Sequence, residues 1–363
     1  MHGAAGANHF LTANTNMEGE GFMKAAVFYG QNQPLRLETW PDPAPGPGEV
    51  KVKVAACGIC HTDIGYIDHG VPTFKKPPLI LGHEASGTIA EIGEGVETFA
   101  PGERVLMGNV FACGQCSNCL SGRSNVCENM RMLGNHLDGA FAEYAVAPAK
   151  DVFHLPDEVP LIEGSIIADA ISTPYHAVVN RAQVKAGERV AVFGTGGVGM
   201  NCLQIAAAVG GNVIAVDMVK EKLDLAVQLG ASDVVNTKTE GQPAKRIRKI
   251  SGGGVDVAME CIGNPVTIKT AYDSIKPGGR VVIVGYPAGS LDLNLARLMF
   301  REQKIIGSLG CRNVDFPHVI DLVRMGKIKV EPIVSGRFTL EQINEGLDQM
   351  RTGKTLRNVV IMK

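Results

Sequence analysis

One stretch constrains this chain more than any other: Arg189-Val190-Ala191-Val192-Phe193 followed by Gly194-Thr195-Gly196-Gly197-Val198-Gly199. An apolar strand that ends in G-x-G-x-x-G and opens a helix is built to receive a pyrophosphate. The glycines let the backbone approach the anion, and the helix offers it unpaired N–H groups. Val198, Cys202, Ile205 and Val209 recur at helical spacing and predict an apolar stripe on that helix. The next strand, "NVIAV", ends in Asp217, where a carboxylate can accept hydrogen bonds from adenosine ribose hydroxyls. An acid there repels a 2′-phosphate, so the pattern predicts NAD rather than NADP. Taken alone, Asp217 also reads as a plain strand-end turn residue.

The surrounding pattern supplies a domain plan. From about Gly187 to Tyr286, apolar strands ("RVAVFG", "NVIAVD", "VDVAMEC", "RVVIVGY") alternate with helical segments, which predicts a parallel sheet. From Lys24 to about Pro156 short β patterns dominate: Val50, Val52 and Val54 alternate with Lys51 and Lys53, and turns such as "PDPAPGPGE" punctuate them. After about Ile305 the elements are short and mixed. The expected organisation is a loose tail over 1–22, a β-rich domain over 23–166, a nucleotide domain over 167–304 and a return to the first domain over 305–363.

Composition excludes several classes. The 363-residue chain carries a net charge of −2 and 45% hydrophobic residues, ordinary for a globular protein. The short basic run Lys245-Arg246-Ile247-Arg248-Lys249 reads as a solvated helix face, so no nucleic-acid partner is expected. No apolar run approaches the roughly 18 residues of a membrane span, and the first 22 residues lack the basic start and apolar core of a signal peptide. A cytoplasmic protein without a membrane partner is expected.

Nine cysteines in such a chain are not expected to form a disulfide framework. Cys113, Cys116, Cys119 and Cys127 fall within "CGQCSNCLSGRSNVC", over residues 113–127. Four thiolates this close on a pliant loop suit a tetrahedral soft cation. Iron–sulfur loops also open C-x2-C-x2-C, but continue x3-C-P; here the fourth cysteine comes later and precedes Glu128, which favours structural zinc.

A second constellation lies upstream: Cys57-Gly58-Ile59-Cys60-His61-Thr62-Asp63 and Gly82-His83-Glu84. Taken singly, each cysteine or histidine is more often packing than ligand. Together with the four-cysteine loop and the glycine turn, these motifs resemble the zinc-containing medium-chain alcohol dehydrogenases, from Met23 to Lys363. The resemblance implies an α/β fold with a GroES-like β-rich catalytic domain and a Rossmann-like doubly wound nucleotide domain. It implies two zinc ions per chain and NAD.

The resemblance also implies roles. Cys60 and His83 become ligands of the catalytic zinc, Cys57 a structural neighbour, Glu84 a group behind the metal, and Asp63 the partner that fixes the His83 tautomer. The third ligand comes from the segment entering the nucleotide domain, which places it at Asp169 in "IADAIST". A carboxylate inside that apolar run is otherwise costly to bury; a helix cap is the plainer alternative. Thr62 starts the proton relay, Thr173 contacts the nicotinamide, and His61, Lys222 and Arg357 contact the cofactor with Gly194, Gly196, Gly197, Val198, Gly199 and Asp217. Gly65 stands where relatives often end the relay with histidine, so a water or another side chain such as His69 must finish it.

The activity implied is oxidation of an alcohol by hydride transfer to NAD, with zinc lowering the alcohol's pKa. "IADAISTPYHA" and "GSLGCRNVDFPHVIDLVRMGKI" look similar to dehydrogenases of alicyclic hydroxyacyl-CoA thioesters, which points to a bulky or cyclic secondary alcohol. The competing class is a zinc-free, quinone-reductase-like or non-catalytic nucleotide-binding relative. Such members lack the Cys60/His83/Asp169 set. Homodimers and homotetramers, built by edge pairing of the nucleotide domain, are usual in the family.

Overall fold

The computed structural model describes residues 21–286 and 289–362. The expected tail therefore lies outside the described residues apart from Gly21 and Phe22, and Phe22 already belongs to the strand Phe22–Phe28.

Two sheets organise the chain. The first runs in the order Val152–His154, Arg104–Met107, Glu84–Ile92, Glu49–Ile59, Arg357–Ile361, Val334–Thr339, with Tyr144–Pro148 also paired to Glu49–Ile59. Val50, Val52 and Val54 point into its core as the alternation requires. Lys51 is buried as well. Its ammonium is held 2.6 Å from Asp42 and 2.8 Å from Glu91, which satisfies the charge in place of water.

The second sheet is six-stranded and wholly parallel, ordered Ala231–Asn236, Asn212–Asp217, Arg189–Phe193, Val255–Glu260, Ile275–Ile283, Lys304–Gly307. This is the doubly wound arrangement in which the strand order, not the strand direction, reverses beside the first strand, leaving a crevice at the carboxyl ends. The expected return at residue 305 falls inside Lys304–Gly307, which parallel pairing to Ile275–Ile283 keeps in the nucleotide sheet. The chain rejoins the first sheet only with Val334–Thr339 and Arg357–Ile361.

The helix Gly197–Ala208 differs from the expected one-sided stripe. Nine of its residues are buried, Asn201 and Gln204 among them, while Val209 just beyond it is exposed. One face packs on the sheet; on the other, Asn201 Nδ2 donates to Ala170 O at 2.7 Å and Gln204 Nε2 to Lys329 O at 3.1 Å. The glycine turn is thereby locked to the segment carrying Asp169. Among the described residues no helix is long and apolar enough to cross a membrane.

Candidate functional site

Cys60 follows directly on the strand Glu49–Ile59 and caps the helix His61–His69, where Asp63 Oδ2 accepts its backbone N–H at 2.9 Å. His83 precedes the neighbouring strand Glu84–Ile92, whose register sets Glu84 opposite Gly58. Only glycine fits there, because a Cβ on residue 58 would stand 2.2 Å from Glu84 Oε2. Asp169 lies at the break between the turn Ser165–Ala168 and the short helix Ser172–Tyr175.

These elements converge. Cys60, His83, Glu84 and Asp169 each bring a ligand atom within 4.8 Å of the others. Asp169 Oδ2 is 3.7 Å from Cys60 Sγ and 3.8 Å from His83 Nε2. Sulfur, nitrogen and oxygen around one tetrahedral zinc stand roughly 3.3–3.5 Å apart, so the donors need to close by only a few tenths of an ångström. The Asp169 carboxylate does not cap a helix: its partners are Thr173 Oγ1 at 2.5 Å and Asn109 Nδ2 at 3.2 Å, both on Oδ1.

Electrostatics match a cation. Burial pushes the Asp169 carboxyl up, but His83, Arg357 and Thr173 outweigh it and hold it well below the usual range. Burial likewise raises the Cys60 thiol, and Arg357 and His83 bring it below its ordinary value. His83 would fall through burial, yet Asp169, Cys60 and Asp63 drive it well up. Two anionic donors thus face the imidazole, with the buried Arg357 charge nearby. A divalent metal held by these donors would add positive charge there and leave the imidazole neutral. The His83 ring is backed by Asp63 Oδ1, 3.7 Å from Nδ1. Thr62 Oγ1 lies 3.5 Å from Cys60 Sγ. Cys57 is fully buried, its thiol directed to its neighbour's carbonyl.

The glycine turn is built as tightly. Gly194 adopts φ +83°, and a Cβ on Gly199 would stand 1.7 Å from the Gly194 carbonyl oxygen, so the turn tolerates no side chain there. A Cβ on Gly196 would meet nothing, which leaves open backbone for an approaching anion. Val198 is half-buried in the first helical turn. Asp217 Oδ2 accepts from Thr195 N and Oγ1 at 2.7 and 2.9 Å, and Oδ1 from Met218 N and Val219 N at 2.7 and 3.0 Å. The carboxylate therefore also holds the glycine turn against its own strand.

Arg357 is wholly buried, donating to Ile59 O at 3.1 Å and lying 3.3 Å from Glu84 Oε1. Its Nε has no partner, and it sits 3.1 Å from where a Cβ of Gly197 would be. His61 is solvent-accessible in the cleft, where the surrounding protein, then Arg357 and Lys222, push its pKa down to about 4. Lys222 Nζ donates to Gly353 O at 2.7 Å. His69 sits exposed at the far end of its helix, about 10 Å along the axis from Thr62, and cannot take that residue's proton directly.

The four-cysteine loop closes on itself. Sulfur separations are 4.0 Å for Cys113–Cys119, 3.5 Å for Cys116–Cys119 and 3.8 Å for Cys116–Cys127. Four sulfurs about 2.3 Å from one ion stand about 3.8 Å apart, and a disulfide needs about 2 Å. Backbone N–H groups of Cys113, Cys116 and Asn129 point at these sulfurs. Sequence reasoning missed Asn109, which no motif marks and which touches Asp169 from 60 positions away.

Comparison with known proteins identifies the family of the chain. Residues 46–157 match the alcohol dehydrogenase GroES-like domain, and residues 197–324 the zinc-binding dehydrogenase family. The chain is 38% identical over 340 residues to an alcohol dehydrogenase of Geobacillus stearothermophilus, covering 93% of this chain and 99% of that one. It is 33% identical to a sorbitol dehydrogenase of Bacillus subtilis, over 90% and 93% of the two chains. The solved structure of an NAD-dependent alcohol dehydrogenase superposes with a TM-score of 0.88 at 31% identity, covering 94% of this chain and all of that one (100%).

Proposed function

The chain belongs to the zinc-type medium-chain alcohol dehydrogenases, NAD(P)-dependent oxidoreductases, and from that premise we propose that it oxidises an alcohol at Cys60, His83 and Asp169 with NAD as hydride acceptor. The observation that carries this reading is the convergence of those three donors across the domain junction. When bound, zinc lowers the pKa of the alcohol and the nicotinamide accepts the hydride. Cys60, His83 and Asp169 would hold the metal and leave a fourth position for substrate. Asp63 fixes the His83 tautomer. Thr62 accepts the proton leaving the substrate, and with Gly65 behind it a water carries that proton onward.

The unpartnered Arg357 Nε beneath Gly197, the open backbone at Gly196, and His61 and Lys222 in the cleft support a pyrophosphate site. Asp217 favours NAD over its 2′-phosphate form. Thr173 commits its one proton to Asp169, so it meets the nicotinamide with acceptor lone pairs only. The four cysteines would hold a second, structural zinc, giving two per chain. The narrower substrate reading is a bulky or cyclic secondary alcohol, including a hydroxylated alicyclic acyl-CoA.

We further infer a homodimer or homotetramer through the outer strand Lys304–Gly307, preceded by the exposed Leu295, Met299 and Phe300. All nine cysteines are free of disulfides, which supports a reducing, cytoplasmic setting. A screen of NAD reduction over primary, secondary, cyclic and CoA-linked alcohols tests the function. Turnover of none of these by zinc-replete protein would overturn it.

A further inference from the structure

We propose that Asn109 and Thr173 are positioning residues for Asp169, fixing its outer oxygen so that the other faces Cys60 and His83. The inference rests on the reading of Cys60, His83 and Asp169 as a metal-binding set. The two carboxylate oxygens live in different surroundings. Oδ1 receives Thr173 Oγ1 at 2.5 Å and Asn109 Nδ2 at 3.2 Å. Oδ2 is turned to Cys60 Sγ and His83 Nε2 at 3.7 and 3.8 Å.

A thiolate offers a metal one donor atom, whereas a carboxylate has two oxygens and can turn between one-point and two-point binding. A chain with aspartate at this position therefore needs something to choose the oxygen. Two neutral donors do so here without cancelling the charge that the metal uses. Asn109 cannot present its amide the other way round, because Oδ1 would then face the carboxylate. Its side chain is buried, with Oδ1 unpartnered, so its orientation is set by Asp169 rather than by a competing contact. The donors come from opposite sides of the junction: Asn109 follows the strand Arg104–Met107, and Thr173 lies in the helix Ser172–Tyr175. The carboxylate is clamped across the place where the domains meet.

The test is zinc affinity by competition with a chromophoric chelator, together with the visible spectrum of the cobalt(II)-substituted protein. Asn109→Ala and Thr173→Val should each weaken the site at Asp169 by about 10–100-fold and shift the cobalt band. Thr173→Ser, which keeps the hydroxyl, should stay near wild type. Asn109→Asp, which sets two carboxylates together, should lose more than Asn109→Ala. The four-cysteine site should keep its metal in every variant, which separates a local effect from misfolding; should Asn109→Ala misfold, the Thr173→Val and Thr173→Ser pair decides. Wild-type zinc affinity and an unchanged cobalt band in Thr173→Val and Asn109→Ala would overturn the inference. Asp169→Asn serves as reference. If it loses the metal while those two keep it, only the clamp fails; if Asp169→Asn keeps it too, the underlying metal site fails.

Discussion

Arg357 Nη1 lies 3.3 Å from Glu84 Oε1, and both side chains are sealed from solvent. Burial holds the Glu84 carboxyl well above its ordinary range although Arg357 pulls it down, and Glu84 in turn helps keep the buried Arg357 charged, so each group depends on the other. Removing one partner of a buried pair typically costs about 3–5 kcal/mol, because the other is left uncompensated. Arg357→Met and Glu84→Gln should each lose stability on that scale. The double variant should lose clearly less than the sum of the two. Chemical denaturation of the four proteins checks this, and strictly additive losses would mean the pair is not coupled.

His176 gives a prediction in pH. Its ring faces an amide group on each side, Asn125 Nδ2 3.2 Å from Nε2 and Asn180 Nδ2 3.2 Å from Nδ1. Burial pushes its pKa down to about 4 from an ordinary 6.5. Between those values the unfolded chain binds a proton that the folded one refuses. Stability from this residue is therefore complete above pH 6.5 and is lost as pH falls towards 4, by about 3 kcal/mol in all. His176→Gln should flatten the fall in stability over that window. An unchanged slope in urea denaturation between pH 6.5 and 4 would contradict the assignment.

Asp217 holds the glycine turn through Thr195, and in the proposed cofactor site it also faces the ribose. Asp217→Ser should therefore raise the Michaelis constant for NAD, by about 10–100-fold if one charged hydrogen bond is lost. It should also shrink the preference for NAD over NADP. Steady-state kinetics with both cofactors decide it, and a wild-type enzyme that already favours NADP would sink the assignment.

The four-cysteine loop is remote from the chemistry in this account. Cys116→Ser removes the sulfur that lies 3.5 and 3.8 Å from two of its neighbours. The variant should melt at lower temperature or assemble poorly, with one zinc fewer. Soluble variant with wild-type melting and full zinc content would count against a structural ion.

The parts legible in the sequence are those written by local pattern. The strand, glycine turn and following acid at 189–217 appear as a continuous signal because each step is dictated by its neighbours. The cysteines of residues 113–127 lie close enough in the chain to be read as one group. Other features depend on contacts distant in sequence. Lys51 looks like an outward residue of an alternating strand, and only Asp42 and Glu91 make its burial possible. The helix Gly197–Ala208 shows an apolar stripe, but Asn201 and Gln204 are buried too because backbone carbonyls of Ala170 and Lys329 receive them. The strand Lys304–Gly307 is short, and its place in the nucleotide sheet follows from pairing, not composition. Asn109 carries no motif at all; its meaning arises only where Asp169 meets it.

Zinc content per chain, measured on wild-type and Asp169→Asn protein, tests the central claim most directly. Asparagine keeps the shape and removes the negative charge that faces Cys60 and His83. Two zinc ions are expected in the wild type and one in Asp169→Asn, held by the four cysteines, with dehydrogenase activity falling alongside and NAD binding largely spared. A fully active Asp169→Asn protein that retains both ions would contradict it.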